Sequence, residues 1–257
     1  MKQPINRYGL WTLYKKEVGR FLKVYNQTLI APMVNALLFL AIFMLAVGRG
    51  GTQIQGIDFG EFMGAGLIMM TMIQQAFANT SSSLIMGKVL GTITDYLIPP
   101  ISPGEMLFAM VMAGVTRGLL VGVLVAFSVR AFTPIHVVHP WVILFYSVSA
   151  SLLLSLLGMI SGIVADTFDQ MAAITSYIIT PLAFLSGTFY SVGNLPSIWF
   201  YVTHANPFFY MIDGFRYGMT GHADGSLMLG AGFITLGNIV FWMLSYALLK
   251  KGYKIKT

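Results

Sequence analysis

The sequence predicts an all-α membrane protein with six transmembrane helices. Of its 257 residues, 56% are hydrophobic and 9% charged, whereas soluble domains carry about 25% charged residues. Mean hydropathy is +0.76, and the apolar residues gather into stretches near the roughly 20 residues that a helix needs to cross a hydrocarbon core. No Pro/Ser/Gly-rich linker or charge block separates these stretches, so a single membrane domain is expected. Cysteine is absent, which excludes disulfides and thiolate chemistry and assigns no compartment.

Residues 1–27 read as an amphipathic N-terminal segment. Trp11, Tyr14, Val18, Phe21 and Tyr25 recur every three or four residues, and Lys16, Arg20 and Lys23 occupy another face. The pattern fits an interfacial helix with its rings in the acyl boundary, or a plain polybasic anchor. Crossings follow at about 28–48, 61–82, 105–131, 141–165, 172–190 and 228–249, then a basic tail over 250–257. The first apolar run is too long for a signal-peptide core, so a retained helix is expected.

Between the second and third crossings, Lys88, Thr92 and Asp95 are spaced to share one helical face and Leu90, Ile93 and Leu97 another. Pro99-Pro100 stops the helix. The segment is either a docking knob or an ordinary interfacial loop helix. Ser102-Pro103-Gly104-Glu105 has the spacing of a capping box with Pro at the first helical position, which starts the third crossing. Asp166, Thr167 and Asp169 precede the fifth crossing, where capping and dipole roles suffice.

The region after the fifth crossing departs from simple hydropathy. Pro181, Gly187, Gly193 and Leu195-Pro196 interrupt the chain, yet it stays aromatic through Asn206-Pro207 to Arg216. Such a segment is expected to lie back on the membrane surface.

Orientation follows from the cations. Lys2, Arg7, Lys15, Lys16, Arg20, Lys23, Lys88, Lys250, Lys251, Lys254 and Lys256 fall on one side, and Arg49, Arg130 and Arg216 on the other. The positive-inside rule then puts both termini in the cytoplasm. Topology accounts for the net charge of +6, and nucleic-acid binding is not implied. Arg117 alone is left deep in a crossing, where it either contacts a substrate path or subunit interface or staples a neighbouring helix. Gln74, Gln75 and Asn79 read as interhelical hydrogen-bonding groups.

Enzymatic constellations are missing from the sequence. There is no GxSxG elbow, HExxH helix or GxxxxGK[ST] phosphate loop. His136-x-x-His139 has no acid at metal-ligand spacing. The 17 Met, 19 Phe and 12 Tyr either pack against lipid and neighbouring helices or line an adaptable path for amphipathic drugs or lipid-linked glycans.

The order of Lys16-Glu17-Val18-Gly19-Arg20-Phe21, six crossings, Ser102 to Glu105, Thr116-Arg117-Gly118-Leu119, Pro181 to Gly187, Leu195-Pro196 and Asn206-Pro207 through Arg216-Tyr217 resembles the permease subunits of type 2 ABC exporters. Within them the chain is most similar to small bacterial inner-membrane transport permeases. The resemblance implies an ATP-driven exporter in which two six-helix subunits pair, each docked to a separate ATP-binding cassette subunit that carries ATP and Mg. This chain itself would bind no cofactor. The first and fifth helices would line the dimer interface and conduit. Lys16 and Arg20, with Lys88, Thr92 and Asp95, would form the ATPase-coupling surface. The segment between the fifth and sixth helices would form short re-entrant outer helices around Leu195-Pro196 and Asn206-Pro207, and Pro181 and Gly187 would be bending points of that outer gate. The alternatives are an ion-coupled secondary transporter and a non-transporting membrane scaffold.

Overall fold

The computed structural model describes residues 6–46 and 53–254. Gly48, where the sequence ends the first crossing, and Lys2, Arg49 and Lys256 lie outside the described residues. Helix α1 (Arg7–Lys23) is capped by Asn6, whose Oδ1 accepts the Gly9 N–H at 2.9 Å. A π turn (Asn26–Ile30) leads into α2 (Ala31–Ala46). A two-residue hairpin follows, β1 (Gln53–Ile54) against β2 (Ile57–Asp58), with Gln53 opposite Asp58. Asp58 then caps α3 (Phe59–Val89) by accepting the Gly60 N–H at 2.8 Å.

The remaining helices are α4 (Thr94–Leu97), α5 (Pro103–Val129), α6 (Pro140–Val164), α7 (Phe168–Ile174), α8 (Thr180–Phe184), α9 (Ser197–Ala205), α10 (Pro207–Thr220) and α11 (Leu227–Lys251). A second π turn (Thr175–Ile179) joins α7 to α8 without a break. The capping box at α5 is present. Ser102 Oγ accepts the Glu105 N–H, and the Glu105 carboxylate accepts the Ser102 N–H at 2.7 Å. That carboxylate also accepts the N–H of Asn6 and so fastens the start of α1 to the start of α5.

Helix α3 is the axis of the bundle, enclosed mainly by α5 and α6 and further by α10 and α2. Close approach comes from small residues spaced every four positions, Gly114, Gly118 and Gly122 on α5 and Gly158 and Gly162 on α6. A Cβ at Gly158 would lie 2.4 Å from the Phe77 carbonyl oxygen, so no larger residue fits there. Hydroxyls fasten the three helices together. Thr80 Oγ1 donates to the Ser155 carbonyl at 2.7 Å, and Ser155 Oγ donates to the Val111 carbonyl at 3.0 Å.

Among the described residues, four segments are long and apolar enough to cross a membrane: Asn26–Ala46, Pro103–Val129, Pro140–Val164 and Leu227–Lys251. The other two expected crossings differ for physical reasons. Helix α3 is long enough but carries Gln74, Gln75, Asn79 and a hydroxyl-rich end, and it is shielded by other helices. It also runs past the expected end at 82. The Ser and Thr residues that lower hydropathy there bond to protein carbonyls, as Ser81 Oγ does to Phe77 at 2.9 Å, and do not break the helix. The fifth segment, α7 through α8, stops at Phe184, short of the expected 190, because Gly187 turns the chain at a φ of 73°.

Two further expectations are corrected. Residues 87–97 do not form one helix, because Gly91 has a φ of 69° and separates Lys88, at the end of α3, from α4. On α1 the buried face is Leu13, Glu17 and Phe21, packed toward α5, while Trp11 and Tyr25 are exposed. Arg20 turns inward and leaves the cationic face.

Candidate functional site

The chain end of the bundle is marked by Asn6 against Pro100 and by Lys254 against Val164. A groove of about 740 Å³ runs from there toward the opposite end, between α2, α3 and the α7–α8 segment. Gln27, Ser81 and Ser82 line its terminal end, Gln74, Gln75, Thr71 and Ser176 its middle, and Phe39, Leu67 and Phe184 its far end. Both outer walls contain a π turn with a proline two residues past its end, Pro32 in α2 and Pro181 in α8. Proline offers no N–H to the carbonyl four residues back, and the π turn re-registers the ladder one residue further. Hence the Ala31 N–H bonds to Asn26 and the Thr180 N–H to Thr175.

Arg117 stands behind the middle of the wall. It is 7% exposed, and its Nη2 donates to Gln75 Oε1 at 2.5 Å. Thr116 beside it hydrogen-bonds to the Tyr14 hydroxyl at 2.9 Å, tying α1 to the same level. Gln74 lies in the groove wall with Gln75.

At the far end four phenyl rings close the groove between its two walls. Phe43 stacks on Phe189 at 5.0 Å, Phe189 on Phe184 at 5.4 Å, and Phe39 meets Phe184 edge-on at 6.1 Å. Gly187 follows Phe184, and its carbonyl accepts Arg216 Nη2 at 2.7 Å. Leu195 and Pro196 are extended and lead into α9, whose Ile198 and Tyr201 are exposed. Asn206 Oδ1 caps α10 through the Phe208 N–H at 3.0 Å, with Pro207 in its first turn, and Asn206 Nδ2 donates to the Leu182 carbonyl at 2.6 Å. Thus Pro181, Gly187, Asn206 and Pro207 gather around one end of α8.

Beside these rings is a buried charge cluster. Arg216 sits 3.7 Å over the Phe62 ring and 4.0 Å from Asp213. Asp213 accepts the N–H groups of Asp224 and Gly225 at 2.8 and 2.9 Å. The Asp224 carboxylate in turn accepts the Val192 N–H at 3.0 Å and the Ser191 hydroxyl. Arg216 is therefore an interior residue, although its charge alone suggests a loop.

The coupling candidates fall into two groups. Arg20 is 3.2 Å from Glu17, and its Nη2 donates to the Asn79 carbonyl at 2.8 Å and its Nη1 to Ser82 at 3.2 Å. Glu17 is wholly buried and accepts the Tyr96 hydroxyl at 3.0 Å, while Lys16 lies 3.9 Å over the Tyr96 ring. Burial and the Glu17 carboxylate push the Tyr96 phenol up, which keeps it a donor. Thr92 and Asp95 are exposed. Lys88 instead donates to the carbonyls of Ile163 and Ala165 and lies 3.8 Å from Asp166, which also pairs with Lys254 at 2.6 Å.

Sequence reasoning missed Glu17, Tyr96, Asp213 and Asp224. The one available signal was the i, i+3 spacing of Glu17 to Arg20 and of Asp213 to Arg216. It also found no acid near His136, whereas folding brings Glu61 to 3.4 Å. His139 instead stacks on Tyr217, and the described residues contain no cluster of three metal-ligating groups.

A bundle of long apolar helices with a groove between its first and fifth apolar segments is the architecture of a multi-pass membrane protein. Residues 8–220 match the family model of the ABC-2 type transporter, and the chain belongs to that family. It is similar to the inner membrane transport permease YadH of Escherichia coli K12, 34% identical over 250 residues and 97% of each chain. Nodulation protein J of Rhizobium meliloti is 22% identical over 255 residues, covering 96% of this chain and 95% of its own. That of Rhizobium leguminosarum bv. viciae is 23% identical over 237 residues, 88% and 90% of the two chains. Family membership makes the chain a membrane permease subunit of an ABC transporter.

Proposed function

We propose that the chain is the permease subunit of an ATP-driven exporter of the bacterial inner membrane, working as a pair of copies with a separate ATP-binding cassette subunit docked to each. Six crossings are then the four long apolar segments, α3 and the α7–α8 segment, within a membrane domain of residues 28–249. Residues 1–27 and 250–257 are cytoplasmic, and α9 and α10 are re-entrant helices on the outer side. ATP and Mg belong to the partner.

The observation that carries this reading is the groove. Its two outer walls are helices whose other faces are left apolar and exposed, at Leu38, Ile42 and Leu45 on α2 and at Tyr177 and Ile178 beside α8. A second copy set against these faces would enclose the groove as a conduit. An ion-coupled carrier would need ionisable groups in the path, and the described lining residues supply none.

Coupling runs through the cluster at Tyr96. Thr92 and Asp95 meet the ATPase, and Tyr96, Glu17, Lys16 and Arg20 join that loop to α1 and to the terminal end of α3. ATP binding moves these parts as one body, Lys88 keeps the loop base fixed on the α6–α7 turn, and the walls bend at Pro32 and Pro181. The far-end phenyl rings, with Gly187, Leu195, Pro196, Asn206 and Pro207 around them, form the outer gate.

Affinity purification of the tagged chain from native membranes tests this reading. It should recover a soluble ATP-binding cassette protein, and proteoliposomes of the two should transport only with ATP. Recovery of no ATPase, together with uptake driven by an ion gradient alone, would overturn it.

A further inference from the structure

Helices α1, α3 and α5 meet behind the groove in a polar layer built on one face of α3. Gln75, Asn79 and Ser82 follow one another there at helical spacing. Arg117 of α5 bonds to the first of them, and Arg20 of α1 to the other two. Two guanidiniums are thus brought together, because their partners Gln75 and Asn79 stand one turn, about 6 Å, apart. One carboxylate, Glu17, answers them, and both its oxygens are committed. Oε2 lies 3.2 Å from Arg20 Nε, and Oε1 accepts the Tyr96 hydroxyl at 3.0 Å. The layer therefore carries one positive charge that it does not balance.

Its hydrogen bonds are unbalanced in the same sense. Asn79 turns Oδ1 to Arg20 Nη2 at 3.3 Å, which leaves its Nδ2 a buried donor without an acceptor. Arg117, 7% exposed, gives Nη2 to Gln75, and its buried Nε has no acceptor. The neighbouring hydroxyl protons go elsewhere, that of Ser82 to the Asn79 carbonyl at 3.2 Å and that of Thr116 to the Met112 carbonyl at 2.8 Å. Arg216 also keeps an unpaired Nε, but Asp213 lies 4.0 Å from it and the Phe62 ring 3.7 Å. Among the described residues no carboxylate pairs with Arg117.

A buried guanidinium without a counter-charge is costly, and so is each unmet donor. One monovalent anion that accepts from both donors removes both deficits. A divalent oxyanion would reverse the sign of the layer and bring more acceptors than there are donors to meet them. Gln75 belongs to the groove wall as well as to the layer, so a small ion can enter past its amide. We propose that Arg117 and Asn79 form a binding site for one chloride-sized monovalent anion, held as a resident counter-ion and not as cargo. The site stands apart from the permease reading and holds whether or not an ATPase is recovered.

The thermal midpoint of the full chain in polymer-bounded native membrane discs tests it, with sodium chloride replacing sodium gluconate at constant ionic strength. An anion bound only by the folded state raises the midpoint. Chloride and bromide should each do so saturably, and sulfate should not. Gln75→Glu and Asn79→Asp keep the shape of the side chain and supply the missing charge. Both should fold, with midpoints in gluconate at or above wild type, and should raise the half-saturating chloride concentration at least about tenfold or abolish the response. Asp166→Asn, on the surface, should leave that concentration unchanged. The proposal is overturned by a midpoint that does not rise with chloride, by a sulfate response equal to that of chloride, or by an unchanged half-saturating concentration in both carboxylate variants. Midpoints in gluconate below wild type in both variants would overturn it as well.

Discussion

The two ends of the bundle bury ion pairs with the same i, i+3 spacing and surround them differently. Asp213 and Arg216 are satisfied largely by backbone, through the N–H groups of Asp224 and Gly225 and the carbonyl of Gly187. Glu17 and Arg20 are satisfied largely by side chains of other elements, through the Tyr96 hydroxyl and the Ser82 hydroxyl, with one α3 carbonyl added. Backbone partners fix the shape of a loop, because a chain so held has few other ways to satisfy its polar groups. Side-chain partners on separate helices link bodies that keep their own shape. The far end is therefore held in one form, whereas the terminal end, proposed above as the coupling end, joins separate helices through side chains.

The comparison is broken most forcefully at Asp213. Asp213→Ala strands Arg216, 1% exposed, without its counter-charge, and removing one member of a buried pair costs about 3–5 kcal/mol. The variant should give little monodisperse protein and a strongly lowered thermal midpoint. A wild-type midpoint would show that the far-end cluster does not hold the loops.

Glu17→Gln is the matching test at the other end. The amide still accepts from Tyr96 but loses its charge toward Arg20, whose side chain is 24% exposed, so the stability cost should be smaller, about 1–3 kcal/mol. The larger effect should fall on partner-stimulated ATP hydrolysis relative to basal hydrolysis. Loss of stability with coupling intact would make the two ends alike. Asp95→Lys isolates the surface contact and should weaken ATPase recovery while leaving the midpoint unchanged.

Pro181→Ala probes the wall between the two ends. Restoring the missing N–H should let the π turn at Thr175–Ile179 relax into a regular helix and raise stability by up to about 1 kcal/mol. Partner-dependent transport should fall. A variant that transports normally would show that the bend is not used.

Much of this was legible in the sequence where a local rule applied. The capping box at Ser102 and four of the long apolar runs depend on neighbours in the chain, and the structure bears these out. The rest depended on partners distant in sequence. The hydroxyls after Asn79 look like a helix end until Phe77 and Ser155 supply acceptors. Arg216 looks like a loop cation until Gly187, Asp213 and Phe62 surround it. Gly91 separates Lys88 from Asp95, yet the hydrophobic period continues across it. Gln74 and Gln75 were singled out as polar residues in a crossing, but only folding shows that they face a groove and that Arg117 stands behind one of them.

The smallest effect is expected from the exposed pair that fastens the chain's tail. The hydrogen bond from Lys254 holds the Asp166 carboxyl below the usual carboxylate range, and the same bond raises the Lys254 ammonium above the usual lysine range. The Asp166 contribution is thus present above the ordinary carboxylate range and lost as pH falls through its lowered value. That of Lys254 is present below the ordinary lysine range and lost as pH rises through its raised value. Asp166→Asn should therefore lower the thermal midpoint only slightly, only between those limits, and less as salt is added, because water and ions screen both groups. Glu17→Gln should keep its effect in salt, since Glu17 is shielded from solvent. Equal salt sensitivity of the two variants would mean that the Glu17 pair is solvated in the membrane-bound protein and could not transmit movement as a rigid link.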